Sequence, residues 1–148
     1  MTHMGWGLLL LHALATSAMF GVIWMVQWVQ YPLFASVGNE AFTSYHAGHV
    51  SKITFVVLPL MALELGTAAL LTLQGYNPFN STLWYLSLAV LAGIWLSTML
   101  WQVPLHNKLA SGFMMSAWQG LVQGNWLRTV GWSIRTGIVF YLIWSQLR

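Results

Sequence analysis

Apolar residues fall along the chain in four long runs broken by polar stretches, and each run has the length of a helix that crosses a bilayer. The first covers about Trp6 to Gln30. Tyr31-Pro32 is expected to end it, because the residue before a proline is pushed out of the α region, and Trp24, Trp28 and Tyr31 mark an interface. A polar connection from Leu33 to Ser51 follows, with a helical start near Ala41 that carries Tyr45, His46 and His49. The second run, about 53–73, contains Pro59, and Gln74-Gly75-Tyr76-Asn77-Pro78 supplies a tight turn after it. Ser81 or Thr82 is placed to cap the third run, about 82–103, which meets Pro104 where a helix should kink or end. Residues 105–124 read as a second polar connection, with an amphipathic stretch around Phe113 to Leu121 suited to a membrane surface. The last run is about 127–147.

This pattern predicts a single all-α domain over residues 1–148, an integral membrane four-helix antiparallel bundle. Short connections make neighbouring helices antiparallel, so the two longer connections share one end and the 74–81 turn shares the other with both termini. Lys52, Lys108 and Arg128 flank the first end and Arg148 the second. The positive-inside rule then places the long connections in the cytoplasm and both termini outside it. The start of the chain, with Leu8 to Leu11 and Ala13-Leu14-Ala15, resembles a signal peptide, yet it lacks a basic leading segment and the apolar run continues to about Val29. A retained helix is the expectation. No internal repeat is evident; Gly120-x-x-x-Gly124 lies outside the apolar runs, Gly93-x-x-x-Ser97 lies inside the third, and packing accounts for both.

Composition supports the membrane class, since 58% of residues are hydrophobic and 5% charged, with a mean hydropathy of +0.69, far from the balance of a soluble domain. The formal charge of +3 reflects scarce acids, Glu40 and Glu64, more than a basic surface, which argues against nucleic acid as a partner. The absence of cysteine excludes disulfides, iron–sulfur clusters and thiolate-ligated haem. No Gly-x-Ser-x-Gly elbow or phosphate loop supports a hydrolase or a nucleotide-dependent enzyme.

The predicted topology gathers the polar residues at the cytoplasmic end: Gln27 and Gln30 from the first helix, His46 and His49 before the second, Gln102, His106 and Asn107 after the third, and Asn125 and Arg128 at the start of the fourth. His46-x-x-His49 puts two imidazoles on one helix face, the arrangement by which a helix offers two nitrogens to a metal, and His106 is the natural third ligand. Three neutral imidazoles suit Fe, Cu or Zn; the competing reading is of interfacial histidines bonded to headgroups and water. His12 is deeper, either an axial haem ligand or a structural hydrogen-bonding residue, with the structural role preferred and haem the second choice of cofactor. Glu64 and Arg135 each stand near a helix centre, where a lone charge costs roughly 2.5–3.5 kcal/mol to insert, so they are expected to pair. The pair either braces helix register or takes part in proton transfer, and a Glu64–His12 bond is the main alternative. Trp95, Trp101, Trp126 and Trp132 flank the polar end, as interface anchors or as walls of an aromatic pocket.

Two stretches, Trp101-Gln102-Val103-Pro104-Leu105-His106-Asn107-Lys108-Leu109 and Asn125-Trp126-Leu127-Arg128, with Ile134-Arg135-Thr136, resemble the anthrone oxygenase-like family of small four-helix membrane proteins. The likeness extends more loosely to Gln27-Trp28-Val29-Gln30-Tyr31-Pro32-Leu33 and Tyr45-His46, and covers most of the chain in layout and about a quarter in specific motifs. It implies a cofactor-poor oxygenase or related oxidoreductase acting on a lipophilic, often aromatic substrate, and carries over His106, Asn107, Trp126, Arg128 and Arg135. His46-x-x-His49 departs from that pattern. A fainter similarity to the haem-binding protoporphyrinogen oxidase of bacterial membranes rests on His12.

The expected function is a membrane oxidoreductase with a cytoplasmic-end pocket for a small hydrophobic substrate. His106, Asn107 and Arg128 are the candidate catalytic residues, and His46, His49 and His106 the candidate metal ligands. His12, Gln30 and Trp126 would surround a cofactor, and Glu64 with Arg135 forms the structural pair. The alternative is a non-catalytic accessory or scaffold subunit packed in a larger membrane complex or homo-oligomer through its tryptophan-rich faces. A transporter ranks third, since no inverted repeat is evident.

Overall fold

The computed structural model describes residues 3–73 and 81–148, and every long element in it is helical. Helix α1 (His3–Met25) runs on through a π-helical turn, Val26–Gln30, and a short helical segment, Tyr31–Leu33. Helix α2 is Asn39–Leu73. Helix α3 (Ser81–Ser97) is likewise prolonged by a π-helical turn, Thr98–Gln102, and a short helix, Val103–Leu109. Helix α4 is Met115–Gln146. The expected turn at 74–80 lies outside the described residues.

Two boundaries differ from the sequence reading for one shared reason. Pro32 and Pro104 were expected to stop or bend their helices, yet the chain stays helical through both. Each proline follows a widened turn in which the hydrogen-bond ladder steps by five residues: Tyr31 N–H reaches the Val26 carbonyl, and Val103 N–H reaches that of Thr98. Widening the turn relieves the clash that a proline ring makes with the preceding turn of a regular α-helix. Trp118 Nε1 then donates to the Tyr31 carbonyl at 2.8 Å, tying α4 to this segment as a second donor beside the Phe34 N–H.

The connections are also more helical than the polar pattern predicts. His46 and His49 belong to the same unbroken helix as Glu64, and no separate surface helix exists over 113–121, because α4 starts at Met115 and continues to Gln146. Gly120 and Gly124 set how closely that long helix packs. A Cβ on Gly120 would sit 3.4 Å from Leu105, and one on Gly124 only 2.8 Å from the Trp101 indole nitrogen, so these glycines let α4 press against the end of α3. A Cβ on Gly93 would meet no other element within 4 Å. Gly112, with a φ of 142°, closes the turn between α3 and α4 in a conformation that L side chains rarely adopt.

Packing partners run in opposite chain directions, which makes the bundle antiparallel. His12 meets Thr67 and Thr16 meets Glu64 across α1 and α2; Ser87 meets Arg135 and Ile94 meets Gly131 across α3 and α4. Trp24 bonds Ser133 and Gln27 bonds Asn125 across α1 and α4. The core is stacked in three levels, around Leu71 and Trp84, around Met19, Met61 and Trp132, and around Phe34, Phe42 and Leu121. Helices α2 and α3 touch near their adjoining ends, where Trp84 Nε1 donates to Thr72 Oγ1 at 3.0 Å. Between that contact and the His46–His106 contact at the opposite end, a cavity of about 200 Å³ separates them.

Seen in three dimensions the chain does carry a correspondence that its linear pattern hides. Both α1 and α3 end in a π-helical turn closed by a glutamine, Gln30 or Gln102, and then by Tyr31-Pro32-Leu33 or Val103-Pro104-Leu105. Each then packs against a following helix, and these two helices share the buried ion pair, Glu64 in α2 with Arg135 in α4. In this two-hairpin scheme the α2/α3 boundary is the counterpart of the tightly packed α1/α4 boundary, and it is the one that stands open.

Among the described residues, three helices are long and apolar enough to cross a membrane: α1 and α3 with their extensions, and α2. Helix α4 is long but more polar, because Asn125, Arg128, Thr129 and Arg135 interrupt its apolar residues, and all four are buried against other helices.

Candidate functional site

Two polar networks lie inside the bundle. The deeper one centres on the fully buried Glu64–Arg135 pair, with Arg135 Nε 3.0 Å from Glu64 Oε1. The carboxylate also accepts from Thr16 Oγ1 at 2.8 Å and from Trp132 Nε1 at 3.0 Å. Arg135 Nη1 donates to the hydroxyl and the carbonyl oxygen of Ser87, and Nη2 reaches His12 Nε2 at 3.3 Å. Guanidinium has no acceptor, so His12 Nε2 must accept and the ring proton sits on Nδ1, where it is donated to Thr67 Oγ1 at 2.9 Å. Thr67 passes its own hydrogen to the Leu63 carbonyl at 2.7 Å. Both nitrogens of His12 are therefore committed to side chains. Glu64 and Arg135 are thus paired, with His12 on the arginine rather than on the carboxylate.

The second network occupies the end where α1 and α3 carry their π-helical turns. The Tyr31 hydroxyl lies 3.0 Å from His106 Nε2, and His106 Nδ1 lies 3.0 Å from His46 Nε2. This is a chain of three groups with two self-consistent proton arrangements: tyrosine donating into His106 and His106 into His46, or the reverse. Phe34 packs edge-on against the chain, with ring centroids 5.8 Å from His46 and 4.9 Å from His49. His49 stacks on His106 at 5.9 Å, and its Nε2 is buried without a hydrogen-bond partner. Among the described residues no three His, Asp or Glu side chains are placed to hold one metal ion; the imidazoles are stacked and bonded to one another instead.

Beside this chain opens the cavity between α2 and α3. Its apolar walls include Val57, Leu58, Met61 and Trp95, and its inner end is formed by Tyr31, His106, Gln102 and Arg128. Gln102 is 2% exposed, yet neither amide atom has a partner, and the Nε of Arg128, the Nε1 of Trp95 and the Nε2 of His49 are unpartnered as well. Elsewhere this end is well satisfied. Gln27 Oε1 accepts from Asn125 Nδ2 at 2.9 Å, Arg128 Nη1 donates to Asn125 Oδ1 at 3.2 Å, and the Arg128 guanidinium sits 5.4 Å from the centre of Trp132.

Of the candidates read from the sequence, His46, His49, His106 and Arg128 are drawn together at this end. Asn107 is exposed on the far side of His106, lining a shallow groove with His46 and Ala47. Gln30 bonds the Tyr45 hydroxyl at 2.9 Å and faces an open groove shared with His49 and Lys52. Trp126 is on the outer surface, edge-on to Trp24 and to Trp28 at 5.9 Å from each. His12 belongs to the deeper network. Tyr31 and Phe34 escaped notice as site residues because each reads as interface punctuation beside Pro32; the Gln-x-Pro-Leu correspondence between α1 and α3 is the signal that marks their segment. No protein-family model, curated protein or solved structure matches the chain.

Proposed function

We propose that the chain is an integral membrane oxidoreductase of oxygenase type, acting on a small hydrophobic substrate that binds between α2 and α3. Membrane residence is supported by three helices of spanning length and by outward-facing apolar side chains such as Phe55, Leu58 and Leu100, a surface that water would penalise and lipid would not. Helix α4 crosses with them, its polar residues turned inward. In this reading the polar end, with Lys52 and Lys108 exposed beside it, faces the cytoplasm and both termini face the opposite side.

The observation that carries the functional reading is the Tyr31–His106–His46 chain at the inner end of the cavity. A substrate proton released at Tyr31 or His106 is relayed to His46, and the Arg128 guanidinium steadies the negative charge left behind. That role for His106 and Arg128 agrees with the resemblance to the anthrone oxygenase-like proteins, in which oxygen is the oxidant. Asn107 would act at the outer mouth. A transition metal (Fe, Cu or Zn) on His46, His49 and His106 is a second form of the same reading, favoured by the free Nε2 of His49 but opposed by the direct His46–His106 bond.

The test is oxygen uptake by the protein in lipid nanodiscs with a panel of lipophilic phenols and aryl ketones, with products weighed by mass spectrometry. Turnover that falls by about 10²-fold or more in His106→Ala supports the relay. Oxygen uptake that His106→Ala leaves unchanged removes it. Elemental analysis of the same preparations decides the metal form, which requires one equivalent of metal that His46→Ala/His49→Ala loses. The accessory-subunit reading is favoured by the exposed Trp28–Trp126 pair and is checked by whether a fixed partner copurifies in mild detergent.

A further inference from the structure

Four buried polar atoms without hydrogen-bond partners belong to three residues that line one cavity: Gln102 Oε1 and Nε2, Arg128 Nε and Trp95 Nε1. Buried polar groups are almost always paired, because an unpaired one keeps its full desolvation penalty. Gln102 and Arg128 are 2% and 5% exposed, so bulk water does not serve them. Three of the four atoms are donors and one, Gln102 Oε1, is an acceptor. A group that answers this set must donate one hydrogen and accept others.

We infer that the α2/α3 cavity is a binding site for a bilayer-dissolved phenol with a single ring and an apolar tail. The inference rests on the membrane oxidoreductase reading and names the substrate class for its pocket. A ring hydroxyl donates to Gln102 Oε1, and its oxygen accepts from the surrounding N–H groups; a quinone oxygen, which only accepts, leaves Gln102 Oε1 bare. Size narrows the class further. The cavity measures about 200 Å³, and an apolar cavity of roughly 150 Å³ holds benzene, so one ring fits. The tail has a path, because the cavity lies where α2 and α3 part and the neighbouring side chains Phe55 and Leu100 are exposed on the outer surface. Entry is sideways from the membrane, with the hydroxyl leading toward Tyr31 and His106.

The experiment is calorimetric titration of the protein in phosphatidylcholine nanodiscs, corrected with empty discs. The probes are 4-octylphenol, its methyl ether 4-octylanisole, and 2-octyl-1,4-benzoquinone. The phenol is expected to bind about tenfold tighter than either comparison molecule, and Gln102→Leu is expected to bring the three affinities together. Gln102→Met, which keeps the side-chain length, repeats the measurement should the leucine variant fail to fold. Equal affinities in the unaltered protein, or a phenol preference that survives both substitutions, overturn the inference. Binding is read without turnover, so the two readings fail separately: oxygen uptake with no hydroxyl preference removes only this one, and hydroxyl preference without oxygen uptake removes only the oxidoreductase.

Discussion

Replacing Glu64 by leucine is the sharpest probe of what holds the bundle together. The substitution removes the acceptor for Thr16, Trp132 and Arg135 at one stroke, and leaves the guanidinium with Ser87 and His12 as its remaining partners at the same level of the core. Two magnitudes compete. If the bonds behaved as neutral ones within a membrane protein, at about 0.6 kcal/mol each, losing three of them would cost about 2 kcal/mol. If the carboxylate is charged, the variant strands a cation in a site with 0% exposure, and breaking a buried pair costs about 3–5 kcal/mol. The expected loss is in the upper range. Glu64→Leu combined with Arg135→Leu should recover part of it, with a coupling of about 1–3 kcal/mol, because the stranded charge is gone. The measurement is reversible unfolding in lipid–detergent micelles by increasing sodium dodecyl sulfate, followed by helicity. A loss below about 1 kcal/mol, or a double variant no more stable than the sum of its parts, refutes a charged brace between α2 and α4.

Gly124→Ala should destabilise by about 1–3 kcal/mol through overpacking, since its Cβ would lie 2.8 Å from Trp101 and 3.1 Å from Gln102, whereas Gly93→Ala, with open space around it, should be neutral or gain up to about 1 kcal/mol from helix propensity; the same unfolding assay separates them. Tyr31→Phe keeps the ring against Phe34 but removes the hydroxyl from His106, so turnover should fall by about tenfold or more while stability changes by about 1 kcal/mol, measured by oxygen uptake beside unfolding. Because the chain has no cysteine, Ser111→Cys and Ser145→Cys can each be labelled alone by a membrane-impermeant maleimide. In right-side-out vesicles the second should react and the first should not; the opposite pattern reverses the proposed orientation.

What the sequence disclosed follows from what each signal measures. Hydrophobic run length reported four helices, because burying a backbone in lipid demands them. The cost of isolated charges points to Glu64 and Arg135 as partners, and the two stand 3.0 Å apart in the core. The same reasoning brought His46 and His106 to one end, since even crossings leave no other arrangement. Helix ends were read less well. Polarity over 33–51 and 105–124 predicts connections with short helical stretches, whereas His46, His49 and Gln119 lie within long unbroken helices, because hydropathy measures exposure rather than backbone conformation. Prolines were read as stops because a widened turn has no composition of its own. The unsatisfied Gln102 could not be foreseen, because partner supply is a property of the folded neighbourhood. Trp126 shows the converse: the motif around it pointed to the site, and the helix turns it to the outside.

The paired π-helical turns have an implication for how the site is aimed. Each amounts to one surplus residue in an otherwise regular helix, and one residue corresponds to about 100° of rotation about the axis. Tyr31 and His106, which lie beyond the turns at Val26–Gln30 and Thr98–Gln102, are thus offset in phase from the helix bodies that precede them. Winding either turn back into regular α-helix with every residue kept would swing everything downstream by that angle. The hydroxyl and the imidazole would then no longer meet, so the alignment of the two tips depends on angular insertion as much as on side-chain identity.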